Sequence, residues 1–204
     1  MKKKLTSSKT MEDESKLAYK FLLKVSKRQK HNRFNEFLSS SEVISLNSRT
    51  NDLTLDLFLI KTIISQQVST KAARSIWLKT YEYIKNSSNW SEEQLRQTGL
   101  SRPKASYIFD ILQNKELRPL TTKKILEMPE SDIDSYFLNI RGVGPWTLCS
   151  LKMFYLCSAD VFIYGDLAIN KACESFFLDL GAVKEYAPFR TYLCLYLWAS
   201  LNQT

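Results

Sequence analysis

A chain of 204 residues with 44% hydrophobic and 12% aromatic side chains can bury a real core, as one domain or as two small lobes. Its net charge of +8 fits a polyanionic partner, of which nucleic acid is the commonest. One histidine, His31, and four cysteines without a C-x-x-C pair exclude most zinc sites and any histidine-based triad, and no apolar run is long enough to span a bilayer.

Residues 1–13 are polar and read as a mobile basic arm; Met1-Lys-Lys-Lys-Leu lacks the apolar run of a secretory signal. From Glu14 to about Lys30 the spacing predicts a helix, with Leu17, Phe21 and Val25 at four-residue steps. Lys27, Arg28, Lys30 and Arg33 form a basic cluster that reads equally well as a solvated helix end and as a polyanion contact. Phe34 to Leu38 adds a helical turn, and residues 39–52 are loop-like. Leu53 to Val68 predicts a buried helix, a break, and a second helix to about Ile84. Gln66 and Gln67 stand at the end of the first of these. Two adjacent amides there are costly to bury without partners, and taken alone they read as helix-end residues. Ser91 and Ser101 each start a further helix, and Lys104 reads as a surface lysine more readily than as a phosphate contact. Thr121 to Met128 is another helix, Asp166 begins one that runs to about Leu178, and Glu185 onward gives the last, closing on Trp198. No β pattern stands out, so an all-α fold of about ten helices is expected.

The stretch Leu138 to Asp166 carries three of the five glycines, Gly142, Gly144 and Gly165. A glycine-poor chain uses glycine where its backbone turns sharply or approaches something closely. Ser131 reads as the N-cap of a short helix that ends at Asn139. Pro145 opens a second helix, from Trp146 to Leu156. The result is helix, Gly-Val-Gly hairpin, helix over residues 131–156. Backbone N–H groups of Gly142, Val143 and Gly144 suit a phosphate oxygen, and the same pattern also suits a plain turn between packed helices. Asp166, twenty-two residues beyond Gly144, favours the first reading. As an N-cap it sits at a helix end that favours negative charge. Cys149, Cys157, Cys173 and Cys194 all fall in apolar helical segments and are expected as buried, reduced thiols.

IRGVGPWT followed by DVFIYGD resembles the helix-hairpin-helix DNA glycosylase superfamily, and within it the 3-methyladenine DNA glycosylase II type. IISQQVSTKAA from Ile63 and APFRTYLCLYLW from Ala187 agree, whereas the first fifty residues carry no match. The resemblance implies a two-lobed helical fold with a cleft. Residues 53–157 would be a central helical barrel, and residues 14–52 with 158–204 a lobe formed by the chain ends. It implies a base-excision repair enzyme that acts on double-stranded DNA, inside the cell, in cytoplasm or nucleoid or nucleus, and as a monomer. Asp166 would be the catalytic carboxylate that stabilises positive charge on the sugar as the N-glycosidic bond breaks. Gln66, Trp146 and Trp198 would border the base pocket, and Gln67 would be the wedge that fills the duplex after base flipping. Leucine stands at the wedge position in some members, and Ser150 and Leu167 replace two further pocket aromatics. Bifunctional relatives place a lysine where this chain has Trp146, so hydrolysis without strand nicking is expected. Alkylated purines of the 3-methyladenine and 7-methylguanine kind are the expected substrates. The alternatives are other damaged or mismatched bases, or DNA binding without catalysis. By resemblance, backbone carbonyls of Leu138, Ile140 and Val143 would bind Na+ or K+. No cofactor is required, and the cysteine spacing does not suit the iron–sulfur cluster of the endonuclease III branch.

Overall fold

The computed structural model describes residues 8–46 and 53–201. Among these, the regular structure is entirely helical. The described residues form two compact units, one from 53–151 and the other from 8–46 with 152–201. The division falls between Leu151 and Lys152, earlier than the 157/158 boundary expected from sequence. The helical register changes at the same point. Helix α9 (Pro145–Ser150) passes into a π-helical turn over Leu151–Tyr155, where one continuous helix was expected. No described helix is long and apolar enough to cross a membrane.

The 53–151 unit is organised around α3 (Leu55–Ser65). Eight of its eleven residues are buried, Ile60, Ile63 and Ile64 completely. A helix apolar on all sides belongs inside, surrounded by others. The unit's other helices are α4 (Thr70–Asn86), α5 (Glu92–Gln97), α6 (Arg102–Gln113), α7 (Thr122–Leu126), α8 (Glu130–Leu138) and α9, of which α4, α6 and α9 pack on it. Local chemistry sets their starts. Ser69, Ser91 and Thr121 accept hydrogen bonds from the N–H groups of Ala72, Gln94 and Lys124. Ser131 does not cap α8. Pro129 occupies the cap, and Ser131 lies inside the first turn with its hydroxyl on Asp132. Proline, already fixed near φ −57, starts a helix without needing a donor. Buried Asp56 is compensated by the Thr54 hydroxyl and by Arg118 at 3.6 Å.

The second unit contains α1 (Ser8–Arg28), α2 (Asn32–Ser40), α10 (Leu167–Phe176) and α11 (Arg190–Ser200). Residues 8–13, expected in the mobile arm, belong to α1; residues 1–7 and 47–52 lie outside the described residues. The buried stripe of α1 is Ala18, Leu22 and Val25; of the expected stripe Val25 is buried, Phe21 half-buried and Leu17 59% exposed. Both stripes have helical spacing, and packing against α2 and α11 selects between them. Thr191 to Leu197 of α11 are all buried. Its tyrosine hydroxyls reach polar partners, Tyr192 to Glu14 at 3.0 Å and Tyr196 to the Glu42 carbonyl at 3.1 Å. The last helix starts at Arg190 and not at Glu185. Residues Leu180–Tyr186 form a 3-10 turn, and Pro188 disfavours α geometry at the residue before it. Cys173 and Cys194 are buried, and burial pushes the Cys173 thiol up to about 11. Cys149 and Cys157 are only half-buried, and Cys157 lies beyond the π turn, outside any helix, at φ 53.

Candidate functional site

The hairpin is held from both sides of its turn. The Val143 N–H donates to the Ile140 carbonyl at 2.9 Å, and the Val143 side chain is buried. Gly142 has φ +88, in the left-handed region. A Cβ added there would lie 2.7 Å from the Tyr107 ring. Gly142 is therefore glycine for two independent reasons, its conformation and the ring against it. Gly144 differs. Its φ is −95 and ψ −178, extended backbone that any residue adopts, and an added Cβ would meet nothing within 4 Å. The expectation that both glycines serve the turn holds only for Gly142. Gly144 leaves open space at the N-terminus of α9, where Pro145 is exposed and Trp146 half-buried.

Gln66 is joined to this hairpin. Its side-chain amide donates to the Thr147 hydroxyl at 2.8 Å and to the Gly142 carbonyl at 3.4 Å. The half-buried amide thus has partners on an element some eighty positions away, which goes beyond a helix-end residue. Gln67 is exposed and left-handed, with φ 54. Lys104, expected on the surface, is half-buried and donates to the carbonyls of Ile64 and Gln66 at 2.9 and 2.6 Å. Desolvation lowers its pKa from the usual ammonium range. It fills a need the sequence leaves invisible, the orphan carbonyls at the end of α3. The exposed Arg141 guanidinium lies over the Tyr107 ring at 5.2 Å and reaches Asp110 and Ser106 at 3.2 and 3.1 Å.

Asp166 lies in the other unit, together with Trp198. It is the N-cap of α10, and its Oδ1 accepts from the Ile169 N–H at 2.9 Å and from the Trp198 indole N–H at 3.2 Å. Trp198 in turn stacks on Phe154, centroids 6.1 Å apart. Gly165 supplies the left-handed bend, φ +79, that turns the chain into the cap. The loop before it is clasped by the start of α11. Arg190 makes a two-pronged bridge to Asp160 at 2.7 and 3.0 Å. The Thr191 hydroxyl donates to the Ser158 carbonyl at 2.6 Å and accepts from the Val161 N–H at 3.0 Å. One helix therefore fixes both the approach to Asp166 and the indole bonded to it. The sequence reading missed this clasp, whose only signal is the Arg190-Thr191 pair in the C-terminal stretch. Trp146 and Trp198, paired as pocket candidates, belong to different units. Of the two replaced aromatics, Ser150 is buried and Leu167 is 86% exposed. Leu138, Ile140 and Val143, the expected carbonyl ligands, line the end of α8 and the hairpin.

A Bacillus subtilis protein that bears the DNA-3-methyladenine glycosylase name is 31% identical over 119 residues, covering 54% of this chain and 42% of the relative. The Saccharomyces cerevisiae DNA-3-methyladenine glycosylase is 27% identical over 175 residues, covering 74% of this chain and 54% of its own. The chain spans about half the length of these two relatives. In fold it is similar to the Schizosaccharomyces pombe 3-methyladenine DNA glycosylase solved in complex with abasic DNA. There the TM-score is 0.69 at 23% identity, over 83% of this chain and 90% of that one. The model of the HhH-GPD superfamily base excision DNA repair protein matches residues 60–186, more than half of the chain. That span includes Gln66, the hairpin and Asp166, and the chain belongs to the HhH-GPD superfamily of base excision DNA repair proteins.

Proposed function

We propose that this protein is a monofunctional DNA glycosylase that flips alkylated purines out of duplex DNA and hydrolyses their N-glycosidic bond. The observation that carries the reading is Asp166. It stands twenty-two residues beyond Gly144, at a helix N-terminus, with an indole N–H and a backbone N–H on one oxygen. Such a carboxylate is fixed in place and suits a sugar that becomes cationic as the base departs. A methylated purine is already cationic and a good leaving group, so little acid assistance is needed. Its attraction to an aromatic face contributes roughly 0.5–2 kcal/mol. Trp198, Trp146 and Gln66 are the groups we assign to the base pocket.

DNA is held, in this reading, through phosphate contacts to the backbone at Gly142, Val143 and Gly144, with Gln67 filling the gap that the flipped base leaves. Three hard carbonyl oxygens, those of Leu138, Ile140 and Val143, suit a monovalent cation; the Ile140 oxygen accepts the Val143 N–H and retains a second lone pair. Such an ion would add positive charge toward a phosphate. The protein works as a monomer, in whichever compartment holds the DNA. Incubation with duplexes that each bear one lesion, with the freed base identified, tests the assignment. Release of 3-methyladenine or 7-methylguanine supports it. Release of only oxidised or mismatched bases, or of none, overturns it.

Two further outcomes are expected. Borohydride does not trap the protein on damaged DNA, because trapping needs an imine and the hairpin position offers Trp146 where bifunctional relatives have lysine. A covalent adduct abolished by changing one lysine would show the hydrolytic reading to be wrong. Gln67→Ala slows single-turnover excision most for lesions in stable pairs and least for mispaired ones, because unstacking costs a few kcal/mol that a mismatch has already spent. An equal effect on both substrates would remove Gln67 from the wedge role.

A further inference from the structure

The last turn of a helix leaves carbonyl oxygens without intrahelical donors. At the end of α3 one ammonium takes two oxygens of the helix end and the turn after it, those of Ile64 and Gln66. Lys104 is the third residue of α6, so its charge lies near a helix N-terminus, where the macrodipole disfavours a cation. Burial further penalises the charged form. The C-terminal end of α3, where a cation is favoured, is what offsets both costs.

The consequence lies one residue on. Gln66 is held at both its ends, the carbonyl by Lys104 and the side-chain amide by Thr147 and Gly142. Gln67 then takes up φ 54, a left-handed conformation that a residue with a side chain adopts only when its surroundings impose it. Packing does not impose it here. Gln67 is exposed, and a hollow of about 270 Å3 lined by Ile64, Gln67, Val68, Leu100 and Lys104 lies against the turn. The bonds to Gln66 brace the residue on which this left-handed turn is built.

We propose that Lys104 is the positioning residue for Gln67: by clamping the Ile64 and Gln66 carbonyls it fixes the left-handed turn that presents the Gln67 side chain to a flipped-out site in DNA. The proposal rests on the wedge reading of Gln67. Lys104 itself touches neither base nor sugar in this scheme.

The test is a double-mutant comparison on the whole chain. Lys104→Met keeps the aliphatic stem and removes the donors. Single-turnover excision is measured on a duplex with 7-methylguanine paired to cytosine and on the same lesion mispaired, with the thermal midpoint of each variant alongside. Lys104→Met slows the paired lesion about ten-fold and the mispaired one less than about two-fold, the same contrast as Gln67→Ala. In the Gln67→Ala background it adds less than about two-fold, because residues acting through one another are not additive. Lys104→Arg, which keeps a cationic donor, recovers most of the paired-lesion rate. A merely structural lysine would slow both substrates alike and add its full effect to Gln67→Ala, and either result overturns the proposal. If Gln67→Ala itself shows no contrast between substrates, the wedge reading fails and the proposal with it. If Gln67→Ala shows the contrast and Lys104→Met does not couple to it, the proposal alone fails. Should Lys104→Met not fold, Lys104→Gln, whose shorter amide keeps N–H donors but loses the charge, shows the same contrast at smaller amplitude, and an equal slowing of both substrates overturns the proposal.

Discussion

Asp166→Asn is expected to lose base release by a factor on the order of 10²–10³ or more while still binding DNA. The substitution isolates charge from structure. Asn is as good an N-cap as Asp, and its side-chain oxygen can accept from the Ile169 N–H and the Trp198 indole as the aspartate does. Helix α10 therefore keeps its start, and the thermal midpoint should stay close to that of the parent chain. What disappears is the negative charge opposite a sugar that turns cationic. The check is single-turnover release of 7-methylguanine together with a binding isotherm on the same duplex. Activity close to wild type would remove Asp166 from the reaction. Loss of binding and folding together would reduce it to a structural cap.

Gly142→Val is expected to be the most damaging single change in the hairpin. The backbone there lies at φ +88, where a side chain costs roughly 1–2 kcal/mol. The added Cβ would sit 2.7 Å from the Tyr107 ring, and relief of such overpacking typically costs about 1–3 kcal/mol more. Swinging the Tyr107 ring does not relieve the clash, because the Tyr107 Cβ itself lies 2.8 Å from the added atom. The Gly142 carbonyl also accepts from Gln66, so the damage should spread to the end of α3. Unfolding midpoint and DNA affinity should fall together, and affinity should fall alike on all sequences, since phosphate contacts carry no base information. Gly144→Val is the control. Its backbone is extended and its Cβ meets nothing within 4 Å, so the midpoint should hold. Any loss of affinity there reports a phosphate kept at a distance. Equal destabilisation by the two substitutions would contradict the geometry of the turn.

Much of the fold is written in local signals. Caps act over three residues, so Ser91, Thr121 and Asp166 could be read from the chain alone, and each makes the capping bond that its position implies. The long apolar run of α3 declared a central helix, and the scarcity of glycine drew attention to the hairpin. The spacing from Gly144 to Asp166 carried the family resemblance. These features depend on neighbours along the chain, or on counts and spacings within it.

Tertiary structure decided everything that depends on a partner from elsewhere. Leu17 and Leu22 both belong to stripes with helical spacing, and only the packing of α1 against α2 and α11 exposes the first and buries the second. Gly142 and Gly144 look alike in sequence; the Tyr107 ring separates them. Gln66 finds its partners 76 and 81 positions away, and Trp198 reaches Asp166 across 32. Lys104 reads as an ordinary surface lysine until the carbonyl ends of α3 are placed beside it. The physical reason is the same in each case. Periodicity and capping report how one segment satisfies itself, whereas a leftover carbonyl, amide or ring face is satisfied by whichever side chain the packing brings near, and packing leaves no periodic trace in the chain.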